Sequence, residues 1–183
     1  MTSEIASPQA VVAFWTDAGK DKWFKPDDAF DQQIRERFLA THEAAARGEL
    51  SDWENSAEGA LALLILLDQF PRNMFGGSAR AFATDPLARA ITTRSIDKGL
   101  EHAVPENMRN FFYLPFQHSE ALADQERSLA LYRAAGDNDN MKWADIHADI
   151  IRKFGRFPHR NVVLGRQTTA EEQAFLDGGG FKG

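Results

Sequence analysis

Six arginines, Arg72, Arg80, Arg152, Arg156, Arg160 and Arg166, stand near two proline turns in a chain whose formal net charge is −6. The turns echo each other: Phe70-Pro71-Arg72-Asn73 is matched by Phe157-Pro158-His159-Arg160-Asn161, and each follows an apolar helical pattern. Guanidinium offers a rigid donor fork that suits carboxylate or phosphate. If the turns converge, Arg72, Asn73, Arg160 and Asn161, joined by Arg80 and Arg156, line one pocket for an anionic group. Phe75, Tyr113, Phe116 and Phe157 then supply its walls. The expected ligand is a small anionic metabolite or the acidic or C-terminal end of a peptide. Against this stands a structural reading, in which the arginines pair with Asp68, Asp85, Glu120 and Asp124 and bond helix-end carbonyls. Asp68 closes the most hydrophobic segment, where the helix dipole disfavours a carboxylate, and is read as the anchor that orients Arg72.

A second constellation is Tyr113-Leu114-Pro115-Phe116-Gln117-His118-Ser119-Glu120 followed by Asp124-Gln125. A histidine near acids can act as a general base, so the rival reading is a hydrolase-type enzyme with His118 or His159 as base and Asp68, Glu120 or Asp124 orienting it. Glu120 and Asp124 form an i, i+4 acidic pair that repels unless a cation joins it. His147, between Trp143 and Ile151 at helical spacing, reads as a hydrogen-bonded core residue. A third reading assigns all these polar groups to locking helix ends together.

Several chemistries lose their usual residues. The chain has no cysteine, which removes disulfides, thiolate iron-sulfur clusters, cysteine zinc sites and a cysteine nucleophile. No His-x-x-x-His pair or Glu-x-x-His repeat supports a metal, and no Gly-x-Ser-x-Gly or P-loop pattern occurs; no metal or cofactor is expected. The acidic balance disfavours a nucleic-acid surface. The beginning of the chain carries Glu4 and no basic, apolar leader, and the longest apolar run, Ala60–Leu67, is far short of a membrane span. A cytoplasmic protein is expected, and Trp23 with Phe24, if exposed, offers a homodimer contact.

These groups must be held by helices. Start and stop signals recur: Ser7-Pro8 with Gly19, Pro26-Asp27 with Gly48, a capping-box spacing at Ser51 and Glu54, and Thr84-Asp85-Pro86 with Gly99. Pro71 should end the apolar helix that contains Ala60–Leu67. Pro105 opens an aromatic segment broken or kinked at Pro115. His118, Leu122, Gln125, Leu129 and Tyr132 set a stripe running to Gly136. Trp143, His147, Ile150, Ile151 and Phe154 share a face before Gly155. Thr168 or Thr169 caps a last short helix, with fraying expected from Gly178. With 183 residues, 43% of them hydrophobic, and no sustained period-two alternation, the expectation is one all-α domain, a helical repeat or a compact bundle.

The same residues resemble the bacterial domain-of-unknown-function family 924, whose members are similar to tetratricopeptide-like helical proteins. The resemblance is carried by Leu63–Phe82, by Asp85-Pro86-Leu87-Ala88, by Tyr113–Phe116 with His118-Ser119-Glu120, and by Phe154–Asn161. Phe14-Trp15 and Trp23-Phe24 also fit. One departure is visible: the family pattern carries an arginine where this chain has Gly76 or Gly77, which removes one donor from an anion site there. The resemblance implies a helical-repeat fold and carries no reaction with it.

Overall fold

The computed structural model describes residues 4–183, and every regular element among them is helical. The helices are α1 (Pro8–Ala18), α2 (Lys20–Trp23), α3 (Asp28–Ala46), α4 (Ala57–Leu64), α5 (Phe70–Met74), α6 (Asp85–Asp97), α7 (Asn110–Gln117), α8 (Leu122–Ala135), α9 (Asn138–Phe154) and α10 (Ala170–Asp177). No helix among the described residues is long and apolar enough to cross a membrane. The chain divides into two compact units, one comprising residues up to Gly76 with Arg80–Pro115, the other Gly77–Ala79 with Phe116–Gly183.

Local caps set the ends of the first unit's helices. The Ser7 hydroxyl accepts from the Ala10 N–H with Pro8 in the first turn, and Asp27 accepts from Phe30. The sequence signal at Ser51 and Glu54 is displaced: Ser51–Asn55 forms a 3-10 turn, and Ser56 is the residue that caps α4, through Gly59 N–H. Phe14, Trp15, Phe38, Phe70 and Phe111 form the aromatic core. Trp23 belongs to it as well. Its ring lies 6.0 Å from Trp15 and its indole N–H donates to the Trp15 carbonyl at 2.7 Å, so only Phe24 of that pair is left exposed.

The apolar helix does not end at Pro71. After α4 the chain makes one π turn, Ile65–Gln69, in which Phe70 N–H reaches the Ile65 carbonyl, and α5 then carries Pro71 in its first turn. Proline has no N–H for the Leu67 carbonyl in α register or the Leu66 carbonyl in π register. Both carbonyls are buried, and an orphaned buried acceptor is costly. Side chains from elsewhere in the unit supply what Pro71 lacks: Thr84 Oγ1 donates to Leu67 O at 2.6 Å, and His42 Nδ1–H donates to Leu66 O at 2.8 Å. Arg72 Nη1 caps the next carbonyl, Asp68 O, at 2.6 Å. Thr84 accordingly makes no side-chain cap on α6, the task its sequence position suggests.

Pro115 likewise sits inside α7, which runs on to Gln117. The terminal carbonyls of Gln117 and Ser119 are taken by the buried Gln125 side-chain amide, both at 2.7 Å.

In the second unit α8 and α9 pack together across the short Gly136-Asp137 connection, where Gly136 adopts a left-handed φ of 68°. His118 lies ahead of α8, outside its stripe, and Leu122 is exposed, so the buried face of α8 is Gln125, Ser128, Leu129 and Tyr132. On α9, His147, Ile150 and Ile151 are buried whereas Trp143 is 54% exposed. Thr169 and Glu172 form a reciprocal capping box at the start of α10. The segment after Gly178 has a defined path. Gly180 N–H returns to Phe175 O and Gly179 N–H to Leu176 O, a Schellman closure, and Phe181 then packs on Ile150, Ile151 and Phe157.

Candidate anion-binding site

The second unit gathers much of the chemistry singled out in the sequence. α9 ends at Gly155, and Arg156 and Phe157 lead into a 3-10 turn, Pro158–Arg160. A buried carboxylate, Glu172, and a half-buried one, Glu120, hold this corner. Glu172 accepts from Arg156 Nε at 2.7 Å and Arg156 Nη2 at 2.9 Å, and also from Asn161 Nδ2 and Thr169 N–H. Glu120 accepts from Arg166 Nη1 at 2.8 Å, Arg166 Nη2 at 2.9 Å and Phe157 N–H at 2.8 Å. Arg166 Nε closes the network onto Asn161 Oδ1 at 2.9 Å.

The electrostatics follow from these bonds. The Arg156 hydrogen bonds, acting against burial and helped by Thr169 N–H and the Arg156 charge, hold the Glu172 carboxyl at about 2. For Glu120, burial works against ionisation, but the Arg166 and Phe157 hydrogen bonds and the charges of Arg166 and Arg160 together keep its pKa below the usual range. Both acids are ionised and engaged with arginine or backbone donors, which does not suit a general acid or base.

Beside this network lies a cluster of a different kind. Arg160 is 7% exposed, stacks 4.6 Å above the Phe157 ring and donates through Nη2 to the neutral His118 carbonyl at 2.9 Å. The His147 ring stands 5.5 Å from Phe157, 6.3 Å from His118 and 4.6 Å from Phe181; His159 stands 5.8 Å from Phe157 and 5.4 Å from Phe181. His147 Nδ1–H donates to Trp143 O at 2.7 Å, so the neutral ring keeps its lone pair on Nε2. Burial lowers the His147 pKa to about 3, with the charges of His118, Arg160 and His159 acting in the same direction and the Trp143 bond opposing them. The cluster is walled by aromatic rings, and the charges around His147 resist its protonation.

The residues of the first Phe-Pro corner sit in the first unit. Arg72 forms a forked pair with Asp85, both bonds at 3.0 Å, and lies 3.5 Å from Asp68 Oδ1. Asn73 donates to Asp31 at 2.7 Å, and Tyr113 is buried in the core. Arg80 is exposed, lies 3.9 Å over Phe75 and stands 3.8 Å from Glu43, with His42 on Phe75 at 5.6 Å. The two corners also differ in form: Pro71 lies within a helix, whereas Pro158 opens a 3-10 turn entered from an extended Phe157. Asp124 accepts from the Ser119 hydroxyl at 2.6 Å. No group of three histidine or acidic side chains among the described residues could hold a metal ion. Phe181 had no place in the sequence-level site. An aromatic residue directly after a glycine helix stop was its signal, since such a residue commonly packs back on the helix it follows.

Fold and cluster together define a small all-α protein in which partly buried ion pairs brace a histidine and arginine cluster. The chain belongs to the family described as bacterial protein of unknown function (DUF924), whose model matches residues 11–180. It is similar to a solved structure, the protein of unknown function ATU0120 from Agrobacterium tumefaciens, with 49% identity over 93% of this chain and 97% of that one and a TM-score of 0.91. No curated protein matches it.

Proposed function

We propose that this protein is a cytoplasmic binding module for small anionic molecules, with Arg160, His118 and His159 as the cationic face and Phe157 as the apolar wall. One observation carries the reading. A stacked, buried guanidinium whose Nη2 donates to a neutral carbonyl is gathered with three histidines, while the nearby carboxylates Glu120 and Glu172 take their short contacts from Arg166 and Arg156. An incoming carboxylate or phosphate gains charge-assisted hydrogen bonds from these groups. The hydrolase reading, with His118 or His159 as base, has less behind it, because Glu120 is bound by Arg166 and Asp68 lies 3.5 Å from Arg72. Arg72, Asn73, Arg156 and Asn161 act in this reading as braces. Arg80, over the Phe75 ring, is an exposed cation in the first unit.

The test is a titration with acetate and inorganic phosphate near pH 6.5, following the histidine ring protons by NMR. The His118 and His159 signals should move with a saturable dependence in wild type, and the response should fall at least about tenfold in Arg160→Gln, a loss worth one forked contact. Histidine signals indifferent to every anion would overturn the reading. Because Arg160 is buried, His159→Gln serves as the second variant, and it too should weaken the response.

A further inference from the structure

We infer that the open groove between α1 and α3 is the contact face of a two-fold dimer, its occupant being a second copy of this chain. The surface lies in the first unit and draws on none of the residues of the histidine cluster.

The two helices run antiparallel. Ala6 N–H, just ahead of α1, donates at 2.9 Å to Thr41 Oγ1 in the second half of α3, while Trp15, in the second half of α1, stands 6.1 Å from Phe30 in the first turn of α3. Between them lies a groove of about 530 Å³. Phe14 and Phe30 form its floor, stacked 5.4 Å apart. Phe14 stays partly exposed, because its neighbours along the groove, Ala10 and Ala13, are too small to cover it.

Charge says what belongs there. Arg37 lies 4.7 Å over the Phe14 ring, and Asp17 follows three residues after Phe14 on the same lining. Both side chains are exposed, and neither makes a hydrogen bond or ion pair among the described residues. Lys22, which also lines the groove, is bound to Asp27. Phe14 touches both Phe30 and Phe38, so it stands level with the stretch between them. Arg37 is then displaced from that level towards the start of α1 and Asp17 towards its end, which at the helical rise separates their backbones by about 9 Å along the groove.

A two-fold axis perpendicular to the groove at its middle reverses its direction. It sets Arg37 against the partner's Asp17 and Asp17 against the partner's Arg37. Two ion pairs form from groups that have none in the single chain, and the Phe14 ring is taken out of water. A basic or an acidic partner satisfies one of the two charges and repels the other. Gln33, whose exposed side chain also lacks a hydrogen bond among the described residues, lines the middle of the groove and meets its own copy. An amide both donates and accepts, so it complements itself. Phe24, 59% exposed, stands in the connection between Lys22 and Asp27 and extends the apolar surface at the Asp17 end.

Sedimentation velocity on the full chain, from micromolar to sub-millimolar concentration, tests this. Wild type should be a reversible dimer that weakens as salt is added. Arg37→Glu and Asp17→Arg each set like charges against one another twice, and each should weaken dimerisation at least about tenfold. The double variant exchanges the two signs and should restore the dimer. Both side chains are exposed, so the substitutions leave the fold intact, which circular dichroism checks. A wild type that stays monomeric throughout overturns the proposal and leaves the groove to a helix of another protein. A wild-type dimer that both single variants preserve overturns it by placing the contact elsewhere. Single variants that the double does not rescue overturn the two-fold pairing of Arg37 with Asp17.

Discussion

The Thr84 hydroxyl donates to the Leu67 carbonyl at 2.6 Å, filling the hydrogen bond that Pro71 cannot make four residues further along the helix. With His42 on Leu66 O, it lets a proline sit inside a buried helix without leaving an unsatisfied acceptor. Thr84→Val should cost about 1–3 kcal/mol in denaturant unfolding, the usual cost of orphaning a buried acceptor. In a Pro71→Ala background the new N–H competes for the same carbonyl. The Thr84→Val cost should shrink there, and a double-mutant cycle that showed simple additivity would contradict the assignment.

Glu172 anchors the second Phe-Pro corner through Arg156, Asn161 and Thr169. Glu172→Gln removes the charge from a buried carboxylate whose arginine partner is partly exposed and should lower stability by about 1–3 kcal/mol, measured by urea unfolding at pH 7. The folded-state pKa of about 2 lies below the ordinary 4.5, so this stability is present above pH 4.5 and is lost as pH falls towards 2. The difference between wild type and variant should therefore narrow over that window.

His147 acts over a higher pH range. Its folded-state pKa of about 3 lies below the ordinary 6.5, so between those values the unfolded chain takes up a proton that the native state refuses. Stability should decline by up to one proton's slope as pH falls from 6.5 towards 3. His147→Gln keeps a polar side chain that does not titrate, and it should flatten the profile between pH 6 and 5. An unchanged slope would mean that the imidazole is accessible to protons in the native state.

Gly59, in the first turn of α4, reverses an ordinary expectation. Glycine to alanine normally stabilises a helix by close to about 1 kcal/mol. Here a Cβ would lie 2.1 Å from the Trp53 carbonyl oxygen, contributed by the 3-10 turn folded back on the helix. Gly59→Ala should instead destabilise by about 1–3 kcal/mol, the range for overpacking, with a lowered melting temperature as the readout.

Much of the helical skeleton was written locally. Ser7, Asp27 and Thr169 cap helices as their sequence positions imply, and Gly48, Gly136 and Gly155 take left-handed φ values after helix ends. Caps and stops act within four residues, so sequence alone determines them. The all-α class follows from these signals together with the helical period of the apolar residues. The arginine-rich second corner was also legible as a group, because Arg156, Arg160, Asn161 and Arg166 are neighbours along the chain.

Where donors come from outside that range, only the tertiary structure decides. Pro71 reads as a helix end because nothing nearby can replace its missing N–H; the replacement comes from Thr84 and His42, 17 and 24 residues from the carbonyls they serve. Glu54 pairs with Arg94, forty residues away, whereas its spacing from Ser51 suggests a cap. Glu120 finds Arg166 at a separation of 46, and so becomes a brace for Phe157 in place of a partner for His118. Phe181 belongs to the site only because a glycine turn lays it between His147 and His159. The sequence supplied the helices and the charged residues. Burial and long-range hydrogen bonding decided which partners those charges found.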